Sequence, residues 1–165
     1  MQLTNSDDPR TKKGKTLLIY GLPGIGKTPF AAQFPKPLLL DCEAGIESIR
    51  TKGVEIATIE RWSDVMQANV ALNAIKDSKI TLLGKELTVE TVIVDTIGEL
   101  GRTIMASALL AAGKETPKFD EWNLAIERTR ATLRSLRNLK YKGLNVIFTA
   151  HEEYEKSDMT STISC

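Results

Sequence analysis

Five short apolar runs alternate along the chain with longer segments in which apolar residues recur every three or four positions. Each run has the length of a strand and is rich in leucine or β-branched residues, which is typical of parallel sheets. The first run predicts a strand buried on both faces, whereas the alternating run 54–59 predicts an edge strand. The five runs are 16–20, 38–41, 54–59, 91–95 and 145–150.

The intervening segments predict helices with recognisable ends. Pro35 and Pro37 end the first helix, and Ser63 is placed to cap the second. A central Gly84 predicts a hairpin over 79–87. The longest helix is expected to bring Trp122, Ile126, Thr129, Leu133, Leu136 and Leu139 near one face. The predicted helices span 27–34, 64–75, 97–112 and 120–139.

Strands that alternate with helices predict an α/β domain with a mainly parallel sheet. We expect residues 15–152 to form this domain, between a flexible lead-in at 1–14 and a polar tail at 153–165. Such sheets bind ligands beyond the carboxyl ends of their strands. Polar or glycine-rich residues follow four strands and are predicted to meet in one crevice, at 21–28, 41–43, 95–96 and 151.

The composition narrows the class of protein without identifying it. Of 165 residues, 42% are hydrophobic and 26% are charged, which excludes disordered, collagen-like, coiled-coil and disulfide-scaffold chains. The net charge of +1 removes a broad electrostatic argument for nucleic-acid or membrane binding and leaves room for a local basic patch. No apolar run has the length of a membrane span or the form of an export signal. With only Cys42 and Cys165, the chain is predicted to be cytoplasmic, without a membrane partner.

The segment between the first strand and the first helix carries a phosphate-binding pattern, G-x-x-x-x-G-K-[ST], in the strand–loop–helix context that the pattern requires. Its glycines let successive N–H groups point at phosphate oxygens, and the helix adds the positive end of its dipole. Lys27 is predicted to reach the β- and γ-phosphates in binding and catalysis, and the Thr28 hydroxyl to ligate Mg²⁺. A plain glycine turn is the alternative. The predicted nucleotide-binding residues are Gly21, Leu22, Pro23, Gly24, Ile25, Gly26, Lys27, Thr28 and Pro29.

Four further residues are candidates for metal binding and hydrolysis. Asp95 ends an apolar strand and is predicted to hold Mg²⁺ through water, with a loop-capping aspartate as the alternative. The next residue is Thr96 and not glutamate, so the water-orienting base must come from elsewhere. Glu43 is the preferred base and Asp41 the second choice, unless both are solvated loop acids. His151, the only histidine, is predicted to sense the γ-phosphate or link nucleotide state to a partner, or else to be an ordinary hydrogen-bonded residue.

Three arginines recur on the long predicted helix. Arg130, Arg134 and Arg137 lie at i, i+4 and i+7, opposite the apolar face. A solvated helix face is the simplest interpretation. The alternatives are contacts with a nucleic-acid backbone and an arginine finger supplied to a neighbouring subunit.

Four blocks of sequence, 15–28, 30–41, 92–96 and 145–152, resemble phage-encoded nucleotide-binding proteins of the RecA-like P-loop ATPase class. The resemblance implies a three-layer αβα P-loop fold with RecA-like strand order, and a catalytic acidic residue after the second strand. It also implies a role in phage DNA recombination or replication, on single-stranded DNA, beside annealing or single-strand-binding proteins in the host cytoplasm. Assembly as a homo-oligomer is implied in the same way.

Two features depart from that family. Pro29 stands where the family usually has serine or threonine, and proline lacks the N–H that typically reaches the α-phosphate, so weaker nucleotide binding is expected. Family members also continue past the fourth core strand with a fifth strand beside the phosphate-loop strand. Here a polar tail follows, and the phosphate-loop strand is expected to present an unpaired edge.

The leading hypothesis is an ATP-binding, Mg²⁺-dependent ATP-hydrolysing RecA-like protein. ATP is preferred over GTP because the chain has no Asn-Lys-x-Asp guanine motif. A nucleotide-gated binding module with little or no turnover is the alternative. A small P-loop kinase is less favoured, because residues 97–118 hold one arginine, Arg102, where a kinase lid would hold several.

Overall fold

The computed structural model describes residues 14–43, 53–156 and 161–164, so residues 1–13 of the lead-in predicted at 1–14, and Cys165, lie outside the described residues. The strands are β1 (Thr16–Gly21), β2 (Pro37–Asp41), β3 (Glu55–Thr58), β4 (Lys79–Leu82), β5 (Lys85–Thr88), β6 (Thr91–Asp95), β7 (Asn145–His151), β8 (Glu153–Lys156) and β9 (Ser161–Ser164). The α-helices are α1 (Lys27–Ala31), α2 (Trp62–Asn73), α3 (Ile97–Ala112) and α4 (Phe119–Asn138), and a 3₁₀ turn, Leu139–Lys142, follows α4.

A five-stranded parallel sheet, in the order β1-β7-β6-β2-β3, forms the centre of the fold. This confirms the predicted α/β domain with a mainly parallel sheet, and β3 lies at the predicted edge. Strand β7, late in the chain, lies between β1 and β6. The register therefore places Gly21 beside His151, and Asp41 beside Asp95, at the carboxyl edge of the sheet.

Two apolar layers lie on opposite faces of the sheet, because successive residues of a strand point to opposite sides. One layer contains Leu39, Ile93 and Ile147 and is covered by α1 through Ala31. The larger layer takes the alternate positions of the same strands and packs against α2, α3 and α4. Helices on both faces make the three-layer αβα arrangement that the family resemblance implied.

Strand β1 is buried on one face only, which corrects the prediction from the sequence. The sequence predicted burial on both faces, but Leu18 and Tyr20 are each 54% exposed, while Leu17 and Ile19 pack towards α1. Burial of both faces needs helices on both sides, and on the side of the larger layer helix α3 packs against β6 and β7. Among the described residues β1 pairs with β7 alone, which confirms the expected unpaired edge.

The helices differ from prediction at their ends and on one face. Helix α1 stops at Ala31, and α2 begins at Trp62, so Ser63 lies inside the helix and does not cap it. The first turn of α2 is instead closed by the Asp64 carboxylate, which accepts hydrogen bonds from the backbone N–H groups of residues 60 and 61. The cap depends on the backbone direction into the helix, which Ser63 alone does not determine.

Helix α4 follows the predicted face in its second half, where Leu133 packs against the core and Leu136 is buried, and departs from it in its first half. Trp122 and Ile126 are 52% and 41% exposed, and the buried residues are Glu121, Ala125, Thr132 and Leu136. Glu121 can be buried because its carboxylate accepts hydrogen bonds from Lys114 Nζ (2.6 Å) and from the Lys118 N–H (2.9 Å). The bond from Lys114 is the main cause of the lowered pKa of Glu121.

Two antiparallel hairpins complete the fold. Strands β4 and β5 form the predicted hairpin over 79–87, turning through Leu83 and Gly84, both of which have positive φ. Strands β8 and β9 pair where the sequence predicted a polar tail. No helix in the described part of the chain is both long and apolar enough to span a bilayer.

Candidate phosphate and metal site

The phosphate-binding pattern forms a loop between β1 and α1. Gly24 and Gly26 have φ values of 79° and 93°, a conformation that glycine adopts without a Cβ penalty. Gly26 is the N-cap of α1, so the first N–H groups of the helix have no intrahelical acceptor. Backbone N–H groups free at a helix start are what an anion-binding loop requires.

Lys27 is buried, and its ammonium group is fully engaged. Nζ donates to the carbonyl oxygens of Gly21 (2.9 Å) and Leu22 (3.0 Å), and it lies 3.2 Å from Nδ1 of His151. An ammonium group has no lone pair, so Nδ1 is the acceptor in that contact. The side chain therefore folds back along the loop towards the end of β1.

The hydroxyl of Thr28 meets the carboxylate of Asp95. Thr28 Oγ1 donates to Asp95 Oδ2 at 2.5 Å, and Thr149 Oγ1 donates to the other carboxylate oxygen, Oδ1. Asp95 is 6% exposed. The Asp95–Thr96 peptide bond is cis.

These donors fit Mg²⁺, which prefers oxygen ligands and usually binds through one or two carboxylates together with phosphates and water. A hydroxyl and a carboxylate oxygen in contact offer two such ligands at the mouth of the loop. In the described part of the chain no cluster of three acidic, histidine or cysteine side chains could hold a metal by itself.

The remaining candidates lie at neighbouring strand ends. Glu43 Oε1 is 2.6 Å from Nε2 of His151 and accepts a hydrogen bond from Thr96 Oγ1 at 3.0 Å. Because Nδ1 of His151 accepts from Lys27, Nε2 carries the proton that is donated to Glu43. Asp41 is buried, and its Oδ1 accepts from the backbone N–H of Glu43 at 3.1 Å. Of the two acids, Glu43 is the accessible one and Asp41 orients the backbone that carries it.

Negative charge is concentrated at this edge of the sheet. Burial raises the pKa of the Cys42 thiol to about 12, and the carboxylates of Asp41, Asp95, Glu43 and Glu99 raise it in the same direction. A cation bound here would be attracted by the same carboxylates.

The structure brings most of the sequence-predicted site together. Side-chain contacts connect Lys27 to His151 and His151 to Glu43, and a separate hydrogen bond connects Thr28 to Asp95. Leu22, Pro23, Gly24, Ile25 and Pro29 are exposed along the loop and the first turn of α1.

The arginine row lies elsewhere. Arg130, Arg134 and Arg137 line a groove of about 480 Å³ together with Leu18 of β1. Sequence reasoning missed Thr149 and the contact between Thr96 and Glu43. A threonine inside the apolar run 145–150 was the available signal for Thr149.

Comparisons with known proteins match a part of the chain that includes these site residues. A model of the AAA domain family matches residues 13–164. The chain is 28% identical over 148 residues to the SPbeta prophage-derived uncharacterized protein YorG of Bacillus subtilis (strain 168). That alignment covers 87% of this chain and 43% of the relative, so the chain spans less than half the length of the curated relative that it matches. The family match includes every residue that the site brings together.

Proposed function

The chain belongs to the AAA domain family, and on that premise we propose that it binds ATP with Mg²⁺ and hydrolyses it. The observation that carries the proposal is the meeting of the phosphate loop, the Thr28–Asp95 pair and Glu43 at one edge of the sheet. Each supplies a part that phosphoryl transfer to water needs: a phosphate cradle, metal ligands and a group that orients water.

Binding uses the loop and Lys27. The free N–H groups at the start of α1 hold the phosphates, and the Lys27 ammonium exchanges its contacts with His151 and the loop carbonyls for phosphate oxygens. Thr28 and Asp95 hold Mg²⁺, which neutralises charge on the phosphates when bound. Burial of Lys27 and Asp95 strengthens these charge interactions.

Hydrolysis uses Glu43 to orient the attacking water. Glu43 is partly exposed, with 29% of its side chain accessible, and its Oε1 is held by both Thr96 and His151. A base must be within hydrogen-bond reach of its proton in a fixed geometry, and an anchored, accessible carboxylate satisfies both conditions. Asp41 is the weaker candidate because it is 2% exposed.

We further propose that the ATPase acts on single-stranded DNA in phage recombination or replication, in the host cytoplasm. The sequence resemblance to RecA-like phage proteins supports this role, as does similarity to a prophage-derived protein. The arginine row offers phosphate contacts of the kind that single-stranded DNA requires. Assembly with further copies or with annealing and single-strand-binding proteins belongs to the same proposal.

A second candidate is a nucleotide-gated binding module with little turnover. The contacts from Lys27 through His151 and Glu43 reach Thr96, whose side chain caps helix α3. Movement of Lys27 onto a phosphate would change the hydrogen bonds that reach this helix. Such a change could alter the surface offered to a partner without hydrolysis.

The test is the steady-state ATPase rate with and without a single-stranded oligonucleotide. Lys27→Ala should abolish the rate, whereas Lys79→Ala, on the exposed β4–β5 hairpin, should leave it unchanged. A rate that rises with DNA supports the full proposal, and a rate indifferent to DNA supports the ATPase alone. ATP binding without turnover favours the binding module, and no detectable ATP binding overturns the proposal.

A further inference from the structure

The Asp95 carboxylate is held by two hydroxyl groups on opposite sides. Thr28 Oγ1, from the phosphate loop, donates to Oδ2, and Thr149 Oγ1, from β7, donates to Oδ1. Thr149 is completely buried and lies on the strand next to β6. The two carboxylate oxygens are therefore distinguishable: one faces the loop and the other faces the sheet.

The hydroxyl of Thr149 has two acceptors within reach and one proton. The carbonyl oxygen of Val94 is 3.2 Å away, and the carboxylate of Asp95 is the other acceptor. A charged acceptor forms the stronger hydrogen bond, so the proton goes to Asp95. Backbone pairing between β6 and β7 does not use this side chain. A valine of the same shape could fill the position, so the strand itself does not require a hydroxyl.

We propose that Thr149 is a positioning residue that fixes the rotation of the Asp95 carboxylate for Mg²⁺–nucleotide binding, an inference that rests on the function proposed above. When Mg²⁺ is bound, the Thr28 hydroxyl would coordinate it through an oxygen lone pair and would keep its proton for Asp95. Thr149 would hold the other carboxylate oxygen from the side of the sheet. It keeps Oδ1 towards the sheet and Oδ2 towards the loop, where the ion is needed.

Loss of the Thr149 hydroxyl should lower the affinity for Mg²⁺ and leave the contacts with the phosphates unchanged. Removing a residue that orients a metal ligand typically costs about 10- to 100-fold in metal affinity. Thr149→Val should therefore raise the Mg²⁺ concentration for half-maximal ATP binding by about that factor. ATP affinity in excess EDTA should stay at the wild-type value, because the phosphate contacts come from the loop and Lys27.

The experiment titrates Mg²⁺ into the full chain mixed with a fluorescent ATP analogue. Thr149→Ser restores the hydroxyl and should restore the wild-type midpoint. Thr91→Val is the matched control: Thr91 is equally buried on β6, but its hydroxyl donates to the Pro35 carbonyl at the far end of the strand. If Thr149→Val does not fold, Thr149→Cys takes its place, since a thiol is a poor donor of similar size.

A raised midpoint in Thr149→Val, wild-type behaviour in Thr149→Ser and no change in Thr91→Val support the inference. An unchanged midpoint in Thr149→Val overturns it, as does an equal rise in both valine variants, which would show a general packing effect. Wild-type protein that binds the analogue with no dependence on Mg²⁺ overturns the proposed metal site itself. That outcome is recognised without any variant.

Discussion

Replacing Pro29 with threonine tests whether a missing backbone donor limits nucleotide binding. Pro29 is the third residue of α1 and is exposed, so the change leaves the core untouched. The helix does not need an N–H at this position, because its first backbone bond runs from the Phe30 N–H to the Gly26 carbonyl. An anion at the helix start meets the N–H groups of Lys27 and Thr28, and the third donor is absent.

The gain expected from restoring that donor is large enough to measure. A hydrogen bond to a charged group contributes about 1.5–3 kcal/mol, and each 1.4 kcal/mol changes Kd about tenfold. Pro29→Thr should therefore tighten ATP binding by about 10- to 100-fold. Loss of the proline ring lowers the stability of the fold by about 0.4–1 kcal/mol, which leaves the protein folded.

Calorimetric titration with MgATP measures the effect directly. Pro29→Ala restores the N–H without adding a hydroxyl, so it should gain affinity as Pro29→Thr does. Pro35→Ala removes an exposed proline outside the loop and should leave the affinity unchanged. Wild-type affinity in both Pro29 variants would refute the reasoning, because the added donor would then make no contact with the nucleotide.

Three further outcomes follow from the structure. Glu43→Gln should keep ATP binding but lower the hydrolysis rate by about 10²-fold or more in a phosphate-release assay. Glu60 is an exposed acid near the next strand end, so Glu60→Gln should hydrolyse ATP at the wild-type rate. A wild-type rate in Glu43→Gln would exclude Glu43 as the base. In a Cys165→Ser background, Cys42 should react slowly with iodoacetamide at pH 8, because its raised pKa of about 12 keeps the thiol protonated. The rate of alkylation should keep rising as the pH approaches that pKa. Rapid labelling at pH 8 would contradict this prediction. Leu136→Ala should lower the free energy of unfolding, measured by urea denaturation, by about 2–5 kcal/mol, because Leu136 is only 2% exposed. Leu110 is 84% exposed, so Leu110→Ala should leave the stability unchanged and serves as the control.

Elements whose signal lies within a few neighbouring residues were predicted well. Strand β6 and helix α3 have the predicted bounds, and the β4–β5 hairpin forms around Gly84 as expected. The phosphate loop belongs with them, because its glycines, Lys27 and Thr28 are adjacent in the chain. In each case the periodicity or the backbone requirement that decides the structure is local.

Exposure was not predictable in the same way. Leu18 and Trp122 lie in segments whose apolar pattern indicates burial, yet both are about half exposed. What covers a side chain is determined by elements distant in sequence, and the pattern of β1 or α4 contains no information about how far those elements extend. Ser63 failed as a cap for a related reason, since the path of the chain into α2 decides which side chain closes the first turn.

The sequence by itself determined which residues of this protein could do chemistry and that they follow strand ends. The tertiary structure decided how they pair. Glu43 and His151 are 108 residues apart and meet because β2 and β7 lie on either side of β6, and Thr149 reaches Asp95 because β7 pairs with β6. Strand order is set by how whole strands and helices pack, which no single segment encodes. For that reason Asp95 was evident in the sequence as a candidate for metal binding, and its contact with the Thr149 hydroxyl was evident only in the fold.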